Sequence, residues 1–144
     1  MNIPALIGIS LALIVAILAR LSRFDRDRSF YPTVLVVIAS YYDLFGAVGG
    51  SAHAILLETG VIAVALLVAY LGYVYSAWFV VVGLAAHGIF DLTHSHIIVN
   101  AGVPLWWPKF CLAYDVTAAA VLAWLLASGP RLNQCSKVTC ALKT

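Results

Sequence analysis

The chain is a succession of apolar runs broken by short polar stretches. Runs near 3–22, 31–49, 52–71, 74–93 and 109–128 each approach the roughly 20 residues that an α-helix needs to cross a bilayer core. The pattern predicts an all-α, polytopic membrane bundle of about five transmembrane helices. The third and fourth runs are almost continuous through "ILLETGVIAVALLVAYLGYVYSAWFVVVGLAAH", which is too long for one crossing. Gly72 lies near its middle among Tyr70, Tyr73, Tyr75 and Trp78, and such aromatics collect at the membrane–water boundary. A tight turn at Gly72 is expected. The opening stretch, "MNIPALIGISLALIVAILARL", lacks a basic segment ahead of its apolar run, and that run is long for a secretory signal. It reads as the first spanning helix.

Composition agrees with a lipid environment. Of 144 residues, 64% are hydrophobic and 10% charged, against about 25% charged in an ordinary soluble domain. A domain of this size keeps much of its surface wet, so an excess of apolar residues cannot all be hidden in its core. The net charge of +2 and the lack of a basic block with interleaved aromatics argue against nucleic acid as a partner. Three cysteines, Cys111, Cys135 and Cys140, form no Cys-x-x-Cys pair, so neither a disulfide framework nor a zinc knuckle is indicated.

Lysine and arginine placement sets an expected orientation. Arg20, Arg23, Arg26 and Arg28 surround the first connection, and Arg131, Lys137 and Lys143 lie in the tail, with only Lys109 opposite. Residues 1–130 therefore read as a membrane bundle with its N-terminus outside, and 131–144 as a short cytoplasmic tail. The expected location is the cell (inner) membrane, crossed several times.

Against this oily background, "HGIFDLTHSH" at 87–96 places three histidines and an aspartate in ten residues. On a helix, His87, Asp91 and His94 fall within roughly 60° of one another and make one stripe. With the orientation above, Asp43, Glu58 and Asp115 come to a similar level, about 9 Å below the outer end of their helices. Asp43 shares a face with Ala39, Gly46, Ala47 and Gly50, and Asp115 with Cys111, Ala118, Ala119 and Leu122. Small residues let membrane helices approach closely, which turns both acids toward the interior. His53 falls at the interface, and His96 is expected to begin the outer loop. The "LWWP" stretch at 105–108 reads as an interfacial anchor.

Ionised acids near a helix centre cost about 2.5–3.5 kcal/mol each on insertion scales. No arginine or lysine is available at this depth, so the offset has to come from protons, the imidazoles, water or a metal. His87, Asp91, His94, Asp115, Glu58 and Asp43 are thus candidate metal ligands. Imidazole and carboxylate suit zinc, iron or manganese. Asp91 and His94 also reproduce the acid-x-x-His spacing of di-iron bundles, as a single copy.

The stretch "HGIFDLTHSHIIVNAGVPLWWPKFCLAYD" resembles a family of small bacterial integral-membrane proteins of unknown function. Their shared pattern is His-x-x-x-Asp-x-x-His, then Asn and Pro, then Cys-x-x-x-Asp. Here it falls on His87, Asp91 and His94, on Asn100 and Pro104, and on Cys111 and Asp115; Ser95 displaces the family's adjacent second histidine to His96. The resemblance covers the last two helices. It implies a multi-helix membrane protein in which Cys111 and Asp115 belong to the same site as His87.

Three functions stay open on these residues. A metalloenzyme would act on a lipid or another apolar molecule arriving sideways. It would work by hydrolysis, with Asp115 or Glu58 as general base, or by oxidation on a redox metal. An ion- or proton-linked transporter would use the same acids and histidines as a path. A structural or assembly subunit would use them only to fix helix packing. Short loops and exposed aromatics are compatible with a homo-oligomer or a larger membrane complex, with membrane lipid as the constant partner.

Overall fold

In the computed structural model, which describes residues 3–128, five α-helices follow one another: α1 (Ile3–Ser22), α2 (Phe30–Val48), α3 (Ala52–Val74), α4 (Trp78–Ile97) and α5 (Trp107–Ser128). One 3-10 turn, Phe24–Arg26, sits between α1 and α2. α1, α2, α3 and α5 are 19 to 23 residues long and apolar enough to cross a membrane. At about 1.5 Å per residue each matches a hydrocarbon core of about 30 Å. α4 has the length, 20 residues, but carries His87, Asp91, His94 and His96 and is not among the four. The expected tail at 131–144, with Cys135 and Cys140, lies outside the described residues.

The helices pack in a bent row. α1 lies along α5, α5 along α4, and α2 along α3, with α3 and α2 closing more lightly on α4. Glycines set the closest approaches. A Cβ at Gly8 would collide with the Phe110 carbonyl, so α1 rests directly on the α5 backbone. A Cβ at Gly88 would stand 3.1 Å from the Asp115 Cβ and 3.4 Å from the Leu112 carbonyl. Its absence lets α5 present Asp115 to α4.

Two expectations are corrected. The third helix does not turn at Gly72. It runs to Val74, and the turn occupies Tyr75–Ala77. Gly72 instead admits the side chain of Val80, which a Cβ there would strike. Arg28 donates to the carbonyls of Val74 (3.5 Å) and Tyr75 (3.1 Å), tying this turn to the α1–α2 connection at the same end. His96 does not begin a loop either: α4 continues through it to Ile97, and its side chain is exposed on the far side of the helix from the stripe.

At the opposite end, Gly50 (φ 68°) makes the α2–α3 turn, and the Ser51 hydroxyl caps α3 by accepting from the Ala54 amide at 3.1 Å. The α4–α5 connection folds back over this turn. Gly102 is pressed against Gly49 and the Phe45 carbonyl, leaving no room for a side chain. Trp107 packs its ring against Phe45, Phe110 and Tyr41. The connection thereby closes the bundle over the polar residues beneath.

Candidate metal centre

Among the described residues, five acidic or imidazole residues are buried in the bundle: Glu58, His87, Asp91, His94 and Asp115, none more than 6% exposed. They come from three helices. α4 supplies the stripe at 87, 91 and 94, α5 supplies Asp115, and α3 supplies Glu58. Of the candidate ligands only Asp43 stands apart. It is half-buried on the outer side of the α2–α3 pair, where the Thr59 hydroxyl donates to it at 3.2 Å. The exposed imidazole of His53 is also outside the cluster.

The buried groups form two storeys rather than one level. In the first, His87 Nδ1 lies 2.8 Å from Asp115 Oδ2 and 3.8 Å from Asp91 Oδ2. In the second, His94 Nε2 lies 2.6 Å from Glu58 Oε1. His87 and His94 are separated by about 10 Å along the α4 axis. Tyr42, on α2, joins the storeys. Its hydroxyl donates to Asp91 Oδ1 at 2.6 Å, and its ring stacks on the His94 imidazole with centroids 4.2 Å apart.

Asn100 completes the upper storey from the α4–α5 connection. Its amide donates to Glu58 Oε1 at 3.2 Å and to the Tyr42 carbonyl at 3.1 Å, while its Oδ1 accepts from the Gly102 amide. Tyr42 was missed as a site residue because its neighbour Asp43 shares the same small-residue stripe. Ala39 and Gly46 lie at i−3 and i+4 from Tyr42, and at i−4 and i+3 from Asp43, so either can be read as facing inward. Observed burial favours the tyrosine.

His87, Asp91 and Asp115 each offer one ligand atom, and these atoms all lie within 4.8 Å of one another. Two ligands at about 2.1 Å from a tetrahedral ion are about 3.4 Å apart, and the observed 2.8 and 3.8 Å fall on either side of that value. Four atoms of the buried set have no hydrogen-bond partner among the described residues: Glu58 Oε2, His87 Nε2, Asp91 Oδ2 and Asp115 Oδ1. A buried, unsatisfied polar atom costs about 1–3 kcal/mol. The donor set, hard carboxylates with one imidazole, fits a divalent transition ion.

An apolar cavity of about 290 Å3 lies between α3 and α4. Val61, Val64, Val68 and Phe90 line it, and His87 is the one polar residue in its wall. No family model, curated protein or solved structure matches this chain.

Proposed function

We propose that the protein is a multi-pass membrane metalloprotein of the cell membrane, with a divalent zinc, iron or manganese ion held by His87, Asp91 and Asp115. The observation that carries this is the convergence of three buried ligand atoms within 4.8 Å from two helices. Charge supports it. The buried set holds three carboxylates and two imidazoles, with no buried lysine or arginine among the described residues. With both imidazoles protonated, one negative charge is left over. A divalent ion bound by neutral His87 with Asp91 and Asp115 cancels the charge of the two carboxylates in its own storey. Protonating one acid would also remove the excess charge, but an ion at these three residues would in addition bind the buried Asp91 Oδ2, which has no hydrogen-bond partner among the described residues.

Such an ion supplies Lewis acidity and an activated water. Around it, this chain's residues have separable roles. Asp115 is engaged with His87 and acts as a ligand. Glu58 lies in the other storey with its Oε1 held by His94 and Asn100, and its free Oε2 would need a bridging water to take a proton from the ion's water. Tyr42 fixes Asp91. The apolar cavity against His87 favours an apolar substrate that arrives sideways from the lipid, as expected for a lipid-directed hydrolase or oxidoreductase.

Elemental analysis of the detergent-purified protein tests this reading. Wild type should carry about one transition ion per chain, held by three protein ligands with one position left for water. His87→Ala should lose it, and Glu58→Gln should keep it. A wild-type protein that stays metal-free after incubation with zinc, iron and manganese would sink the proposal.

A further inference from the structure

A second, larger apolar groove, about 580 Å3, runs between α1, α2 and α5. α1 packs along α5 and only loosely approaches α2, so the two stand apart with α5 as the floor between them. Leu11 forms one wall, and Val34, Val37 and Tyr41 the other. From Phe30 to Tyr41 the α2 wall is about 16 Å long. Leu11, Val37 and Tyr41 are 41, 47 and 40% exposed, so the groove opens sideways along its length. In a membrane-spanning bundle that side faces hydrocarbon.

The two ends differ. One end stops under Trp107. The other reaches the α1–α2 connection at Phe24, Asp27 and Ser29. In that connection most charges are already engaged. Arg20 pairs with Asp25 at 2.7 Å, Arg28 donates to the α3–α4 turn, and Asp27 accepts from the Ser29 amide and hydroxyl. Arg23 and Arg26 are exposed and make no side-chain hydrogen bond or ion pair among the described residues. Arg23 and Arg26 belong to the same short connection as Phe24, Asp27 and Ser29, which line the polar end of the groove, so that connection carries two uncommitted guanidinium groups. The planar guanidinium fork matches phosphate oxygens.

We infer that this groove holds one acyl chain of an anionic phospholipid, with the headgroup phosphate at Arg23 and Arg26. The basic connection at one end and the lateral opening favour a lipid over a second copy of the chain or a partner helix, neither of which needs two uncommitted arginines on the connection that ends the groove. Cys111 forms part of the floor, one helical turn from Asp115. The lipid chain therefore runs alongside the metal centre. The inference is independent of any ion at His87 and goes beyond that reading.

Native mass spectrometry of the full chain in detergent, with added phosphatidylglycerol or phosphatidylcholine of identical chains, tests it. Wild type should retain one phosphatidylglycerol, preferred over phosphatidylcholine by roughly 30-fold for two surface arginines. Arg23→Ala with Arg26→Ala should abolish the preference. Val37→Trp should fill the groove and lose both lipids, while Leu56→Trp, on exposed α3 surface, should behave as wild type. If Val37→Trp melts lower than Leu56→Trp, Leu11→Trp on the opposite wall gives the same readout. Retention of phosphatidylglycerol in either groove variant overturns the inference. So does a headgroup preference that survives loss of both arginines, or a dimer in place of the bound lipid.

Discussion

Tyr42 shows how much a single residue carries in this bundle. It gives Asp91 its hydrogen-bond donor and covers one face of His94. Tyr42→Phe keeps the ring and removes the donor, leaving Asp91 Oδ1 buried and unpaired. A loss of about 1–3 kcal/mol is expected, read as a lower melting temperature in detergent, whereas Tyr41→Phe on the exposed side should change little. Asp43→Asn should leave metal content unaffected, because Asp43 pairs with Thr59 outside the cluster. Asp115→Asn should lower it strongly. That Glu58, His87, Asp91, His94 and Asp115 turn inward was legible from sequence, because charged groups in lipid are costly wherever they stand. The rotation of α2 was not, since small residues flank positions 42 and 43 alike, and a tyrosine in an oily helix looks like an interfacial residue.

At the scale of elements, glycines separate close packing from open surface. Gly8 sits against the α5 backbone, while a Cβ at Gly60 would meet nothing within 4 Å. Gly8→Ala should therefore destabilise by about 1–3 kcal/mol through overpacking. Gly60→Ala should stabilise by about 0.5–1 kcal/mol, as an exposed helical glycine gains from a methyl group. Thermal unfolding of the two variants side by side checks both signs. Helix positions were readable to within a few residues because bilayer thickness fixes the length of each apolar run. The α3–α4 turn was misplaced because Gly72 looks like a breaker. Its actual service, admitting Val80 against α3, depends on a contact between helices that periodicity alone does not reveal.

For the whole molecule, the two connections that meet through Arg28 define one end, and the turn at Gly50 with the α4–α5 connection defines the other. We propose that the arginine end is cytoplasmic. In a background lacking Cys135 and Cys140, His53→Cys should react with a membrane-impermeant maleimide on intact cells, and Ser76→Cys only after permeabilisation; the reverse pattern would invert the topology. The account as a whole rests on a cation that neutralises buried carboxylates from two helices. X-ray absorption at the metal edge of the purified protein tests that most directly. The account predicts a nitrogen and oxygen shell at about 2.0–2.2 Å with an imidazole signature and no sulfur near 2.3 Å. A sulfur shell, or an edge no stronger than that of a His87→Ala sample, would contradict it.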